Sequence, residues 1–417
     1  MIYIPFIYFS LLSLLHYKRN KTLNVGSFLL ALYTVSSFLS IILFKSTYLN
    51  YHLSEIKLCS VIYYCTILTL FFLPFLSRKH VPVPNIVKPN SALFILVSFF
   101  FIIINIIAII LSFKYTVFIL THNPGAFKIG GTLLLKKLGY GIDIFDKIGF
   151  YIFGHFSDFY ILILFFFFYS ITYLNNSRSF NIILLFSSMS TIINGLNTGG
   201  RTQMIYWIVM FISLFIFFKA HMPKNVKRYV FKIFIFFISI FSVYFIGVTI
   251  YRFSNNYSPG IVHQELLSII DYAGQSFLNF NDFFTKFHDH QYTLARIFPI
   301  LHDVLSSSKF DLNEYRISLP MNIGVFSTFL GDLFIDVGIA GTIIYLIVYL
   351  FLFYVTQKNY TKGSKQFHQV LIYFMLFQIP LNGLFFYSLW NKAATISIIG
   401  TIGIYFLFKE TKRRQNG

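Results

Sequence analysis

The stretch SALFILVSFFFIIINIIAIILSF, Ser91–Phe113, decides the fold, because it contains no charged residue at all. A helix rises about 1.5 Å per residue, so this run covers the roughly 30 Å of a bilayer's hydrocarbon core. Comparable runs recur along the chain. We read candidate spans at about 1–16, 26–44, 58–76, 91–113, 151–174, 180–196, 202–218, 229–251, 327–355, 367–386 and 391–408. The expected fold is an all-α polytopic membrane protein of about eleven transmembrane helices, a single integral membrane domain over residues 1–417.

Composition agrees. Hydrophobic residues make up 57% of the 417 and charged residues only 11%. A soluble domain carries about 25% charged residues, so no aqueous fold could hide this much apolar surface. The net charge of +19 is not a nucleic-acid signal. Its basic residues sit in short clusters between apolar runs, where they report orientation. Eighteen of the 33 lysines and arginines fall in alternate short loops and the tail, with Glu410 as the one acid among them. By the positive-inside rule these loops are cytoplasmic, which puts the N-terminus in the periplasm and the C-terminus in the cytoplasm. The first apolar run has no preceding basic residue and no small-residue cleavage site, so an uncleaved span is expected there. Cys59 and Cys65 lie within an apolar run and read as buried thiols.

Two outer segments are long, 114–150 and 252–326. The second holds seven acids, five basic residues and four of the eleven histidines. Phe280, Phe283, Phe284 and Phe287 fall on one helical face there, which predicts an amphipathic helix in the outer interface.

In such a chain the charges at or near membrane depth carry the functional signal. Arg201, Arg252, Arg296 and Arg316 lie on the outer side. Arg201 follows the turn Asn197-Thr198-Gly199-Gly200 and opens a span. Gly199 and Gly200 allow a tight turn with N–H groups pointing outward, the helix N-terminus adds a partial positive charge, and a guanidinium can grip a phosphate in two places. The plainer alternative is an arginine snorkelling to lipid headgroups. Arg252 ends its span at the same outer depth.

A second constellation is Gly331-Asp332-Leu333-Phe334-Ile335-Asp336-Val337-Gly338-Ile339-Ala340-Gly341. Asp332 and Asp336 are four apart and share a helix face. Asp336 is the deeper and needs a partner, either as a structural ion pair or as a catalytic group. His263 and His302 are candidate general bases, since histidine titrates near neutral pH; a solvated loop histidine is the plain reading of each. His288-Asp289-His290 is a weak metal signal, and no metal site is expected.

Three of these stretches resemble the bacterial oligosaccharide repeat-unit polymerases of the O-antigen polymerase (Wzy) type. They are Thr198-Gly199-Gly200-Arg201-Thr202, the span ending in Tyr251-Arg252 before the largest outer loop, and the run from Thr328 to Gly341. The last is similar to the family's G-x-x-Y-x-D-F-G-x-x-G span start, with Phe334 at the tyrosine position and Val337 in place of phenylalanine.

The resemblance implies a GT-C-like architecture and a metal-independent membrane glycosyltransferase without a cofactor. It implies polymerisation of polyprenyl-pyrophosphate-linked oligosaccharides into O-antigen or capsular polysaccharide at the periplasmic face of the bacterial inner membrane. Membrane lipids, a chain-length regulator and a flippase would be partners, and nucleic acid would not. Arg201 and Arg252 would hold the leaving pyrophosphate. Arg296 and Arg316 would serve the second lipid-linked substrate or the glycan. Asp336, His263 or His302 would be the base. An O-antigen ligase shares this architecture, and a lipid-linked oligosaccharide flippase or transporter is the alternative from another class.

Overall fold

The computed structural model describes residues 1–46, 48–77, 85–122, 144–174, 176–197, 201–254, 262–287, 294–306, 325–357, 364–389 and 391–415. Every segment read as a span is helical. In chain order the helices are α1 (Tyr3–Asn20), α2 (Val25–Lys45), α3 (Leu58–Leu76), α4 (Ser91–His122), α5 (Ile144–Phe156), α6 (Tyr160–Tyr169), α7 (Arg178–Ser188), α8 (Ser190–Asn197), α9 (Thr202–Phe218), α10 (Lys224–Ser254), α11 (Val262–Lys286), α12 (Pro299–Leu305), α13 (Thr328–Gln357), α14 (Phe367–Asn382) and α15 (Lys392–Gln415). Among the described residues, eight helical stretches are long and apolar enough to cross a membrane, two of them (Lys147–Leu174 and Arg178–Asn197) running through a break between two of these helices, and α9 is a shorter apolar helix. That makes the chain a multi-pass membrane protein. The difference from eleven comes from α1, α9 and α14, which the length and hydropathy of a full span do not cover.

Where the segments 114–150 and 252–326 are described, each begins as the continuation of a helix. α4 runs to His122 and α10 to Ser254, so both helices extend past the ends assigned to their spans. Three of the segments read as spans are broken, 327–355 at Gly338 among them. The segment 151–174 is divided by a 3-10 turn at Ser157–Phe159, and 180–196 is divided at Met189. The only strands among the described residues are β1 (Asn85–Val87) and β2 (Ser364–Gln366), paired in parallel.

The chain divides into two compact units. The first is Met1–Pro84, Gly260–Tyr360 and Leu376–Thr395. The second is Asn85–Pro259, Thr361–Met375 and Ile396–Gly417.

In the second unit the aromatic residues that the composition supplies do the packing. Phe367 meets Phe94 at 5.9 Å, Phe165 at 5.2 Å and Tyr169 at 4.7 Å between ring centres. Such offset and edge contacts add to the gain from burial. The indole N–H of Trp207, fully buried, donates to Ser188 Oγ at 3.0 Å.

In the first unit α11 packs along α2. Ser36 and Ser40 donate to the carbonyls of Ala273 and Gly274 at 2.6 and 2.5 Å. A Cβ on Gly274 would lie 2.8 Å from the backbone carbon of Leu39, so the glycine is what permits the approach. Small residues and interhelical hydroxyl bonds are the means by which helices associate where burial of apolar surface gives no advantage over lipid. Phe280, Phe283 and Phe287 are buried, and Phe284 packs against the same cluster with Phe334 and Ile335. This aromatic face therefore meets protein and not the outer interface. α11 is amphipathic, as the spacing predicts, but its apolar face is turned to protein, whereas α12 exposes Leu301, Val304 and Leu305.

α13 is not one span but two limbs. Gly338 has φ 64° and ψ −167°, a conformation that a side chain resists, and it breaks the helix. Residues 328–337 form a short helix buried on every side, whereas 339–357 buries one stripe. The second limb alone, about 19 residues, is long enough to span. Phe71 of α3 touches both limbs, edge-on to Phe329 at 4.9 Å and against Tyr349 at 5.1 Å. The two limbs thus form a hairpin against α3.

Candidate functional site

The short limb 328–337 begins where α14 ends. Helix starts leave N–H groups without partners and helix ends leave carbonyls, and a buried end must satisfy them. Here the chain just past the end of α14 supplies the acceptors. The N–H groups of Ser327 and Thr328 donate to Phe385 O at 3.0 and 2.9 Å, and that of Phe329 donates to Gly383 O at 2.8 Å. Gln275 and Asn279 of α11 fix the preceding residue. Phe326 N–H donates to Gln275 Oε1 at 3.2 Å, and Asn279 Nδ2 donates to Phe326 O at 2.9 Å. The limb is held at its start by side chains of one neighbour and carbonyls of another.

This limb presents the paired aspartates to Arg296. An Nη2 hydrogen of Arg296 donates to Asp332 Oδ1 in a close ion pair. Asp332 Oδ2 accepts the backbone N–H of Tyr387 at 2.6 Å. Asp336 Oδ2 accepts the backbone N–H groups of Arg296 at 3.1 Å and Ile297 at 3.2 Å. The Arg296 side chain is 10% exposed, that of Asp332 is 2% exposed, and Asp336 is fully buried. Charges this deep are tolerated when paired and hydrogen-bonded. Asp336 is therefore committed to two main-chain donors with no face open to a substrate. Its geometry is that of a clamp and not of a general base.

One donor of the cluster remains. Arg296 Nη1 is buried and has no hydrogen-bond partner among the described residues. A guanidinium has five donors in a planar fork, and a buried one lacking an acceptor is the arrangement an anionic ligand completes.

Beyond the clamp the chain enters α12. His302 is partly buried, and its Nδ1 lies 3.3 Å from Ser306 Oγ and 3.6 Å from Asp303 Oδ1. The other oxygen of Asp303 is paired with Lys392 Nζ. Local sequence does not connect Lys392 with Asp303, because 89 residues separate them.

A third polar group sits on α11. Asp271 accepts from Tyr51 OH at 3.0 Å and from Gln275 Nε2 at 2.9 Å. Burial pushes its carboxyl up to about 6, against the opposing pull of the Tyr51 bond. Sequence reading passed over Asp271; the signal available was a run of polar residues, Asp271, Gln275, Asn279 and Asp282, at helical spacing.

Arg201 belongs to the second unit. It caps α9, is 6% exposed, and lays its guanidinium over the ring of Phe245 of α10 at 4.6 Å. It is a buried cation–π contact and not a span-end arginine in the headgroups. Nearby, Thr116 donates to Asn197 Oδ1 at 2.7 Å and Asn194 donates to Ser157 Oγ at 3.1 Å, so the broken helices of this unit carry polar bonds into it. Gly199, Gly200, Arg316 and the side chains of Arg252 and His263 lie outside the described residues, as do His288, Asp289 and His290. Among the described residues no cluster of metal-ligating side chains occurs.

No family profile, curated protein or solved structure matches this chain.

Proposed function

We propose that the protein polymerises polyprenyl-pyrophosphate-linked oligosaccharide repeat units into O-antigen or capsular polysaccharide, as a membrane glycosyltransferase at the periplasmic face of the bacterial inner membrane. The observation that carries this reading is Arg296: a guanidinium fixed by Asp332, nine-tenths buried, with Nη1 unclaimed. Glycosyl transfer from a lipid pyrophosphate builds negative charge on the leaving group, and a preorganised buried cation stabilises that charge more than a solvated one. The motif Gly331–Gly341, which supports the resemblance to the polymerases, is the element that holds Arg296. The resemblance gives the pyrophosphate to Arg201 and Arg252 and gives Arg296 the second substrate or the glycan; the unclaimed Nη1 is the reason for assigning the pyrophosphate to Arg296 instead. A GT-C-like architecture is part of the proposal.

A flippase is the second reading, favoured by the helix broken at Gly338 beside buried carboxylates, a feature of transporter sites. Deletion of the gene followed by gel analysis of the surface glycolipid separates the readings. Polymerase loss leaves single repeats on the acceptor. Ligase loss leaves bare acceptor while lipid-linked polymer accumulates. Flippase loss leaves neither product.

A further inference from the structure

We propose that His302 is the general base for the acceptor hydroxyl and that Asp303, held by Lys392, is its positioning residue. The inference rests on the polymerase reading and adds to it the group that takes the proton.

The geometry comes from two tethers on one short helix. At its start, Asp336 binds the N–H groups of Arg296 and Ile297, two residues before Pro299. At its far end, Lys392 binds Asp303. α12 is thus fixed at both ends, and with it the separation between Arg296 and His302. The outward face is Leu301, Val304 and Leu305, apolar and exposed, as suits a helix lying at the level of lipid headgroups. His302 and Asp303 are turned away from that face, their side chains 13% and 18% exposed. A lipid-linked acceptor would meet α12 at this level.

The acceptor hydroxyl gives its proton to His302 while its oxygen bonds to the anomeric carbon of the donor. The bond from that carbon to the phosphate oxygen breaks, and the electron pair leaves on the polyprenyl pyrophosphate, whose charge Arg296 receives. The imidazolium formed is stabilised by the Asp303 carboxylate, and Lys392 competes for the same carboxylate. Among the described residues, the other charged or titratable groups around α12 are Arg296 in the preceding turn, Asp332 and Asp336 on α13, and the phenols of Tyr345 and Tyr387, with Tyr345 reached by Phe298 at 6.3 Å between ring centres. Asp336 surpasses His302 in burial but not in access, since its Oδ2 is occupied by main-chain donors and it is fully enclosed.

The test uses the purified full-length protein with lipid-linked repeats extracted from cells lacking the gene, and reads polymer formed against pH. His302→Gln should lower turnover by about 100-fold or more, with affinity for farnesyl pyrophosphate, the donor-site probe, held within about threefold. Asp303→Asn should move the acid limb of the rate profile to lower pH, because the imidazolium loses its carboxylate. Lys392→Met should move it to higher pH, because the carboxylate is freed for the imidazole. A merely structural role would not move the limb in opposite directions. Lys392→Arg should restore the wild-type profile, and retained farnesyl pyrophosphate binding shows that each variant is folded. An acid limb unmoved in both variants, or near-full turnover in His302→Gln, would overturn the proposal. A wild-type protein that makes no polymer from these substrates overturns the polymerase reading instead.

Discussion

Asp332 and Asp336 hold Arg296 from opposite ends, the first by its guanidinium and the second by its backbone N–H. Removing either carboxylate should unfasten a different part of the same residue. Asp332→Ala leaves a buried guanidinium uncompensated and should cost about 3–5 kcal/mol. Asp336→Ala leaves two main-chain donors unmet, at about 1–3 kcal/mol each. Thermal unfolding of the detergent-purified variants measures both, and melting temperatures equal to wild type would show that the clamp contributes nothing.

Gly338 separates the limb that carries these carboxylates from the limb that spans. At φ 64° and ψ −167° an alanine is strained. Gly338→Ala should cost about 1–3 kcal/mol. The replacement Gly247→Ala, in open surroundings on α10, is the control and should be near neutral. Equal melting temperatures for the two variants would remove the strain argument.

Folding raises the Asp271 carboxyl to about 6 from 3.8. The folded state therefore binds this proton more tightly than the unfolded chain, so ionisation costs stability. The penalty is complete above about pH 6 and absent below about pH 4. Asp271→Asn should melt higher than wild type at pH 7.5, and the difference should shrink as pH falls through 6. A difference independent of pH, measured by parallel thermal scans, would contradict this.

The close approach of α11 to α2 depends on Gly274. Gly274→Leu should force the helices apart and cost about 1–3 kcal/mol through overpacking. Ser36→Ala and Ser40→Ala lose one interhelical hydroxyl bond each and should cost less, about 0.6 kcal/mol. Unfolding of the three variants in one detergent ranks them, and a reversed order would refute the packing account.

Reporter fusions test the orientation read from the basic loops. Fusions after Asn50, Lys136 and Phe310 should report the exterior, and fusions after Lys21, Lys224 and Lys362 the cytoplasm. Two reversed reporters would break the map.

The sequence made the helices legible because lipid as solvent demands long apolar runs, and each of the eleven segments is helical. It misled where a run was long enough to hide a break. The segment 327–355 reads as one span, and only the backbone at Gly338 reveals a buried limb and a spanning limb. The phenylalanine stripe 280–287 has the spacing of an interfacial helix, yet it is the partners Phe334 and Ile335, fifty residues away, that cover it. For the site, the pair Asp332 and Asp336 was visible from spacing, and the need of Asp336 for a partner followed from its charge at depth. The partner could not be read, since Arg296 is joined to them through the fold and not through local sequence. The same holds for Asp303 and Lys392.

The central claim is that the buried, half-claimed guanidinium of Arg296 receives a lipid pyrophosphate during polymerisation. The most direct measurement incubates the purified protein with lipid-linked repeats extracted from the deletion strain and resolves the products by size. The account predicts a ladder of lengthening chains with wild type and none with Arg296→Ala, while the variant still inserts and melts cooperatively. A full ladder from Arg296→Ala, or no ladder from wild type, would contradict it.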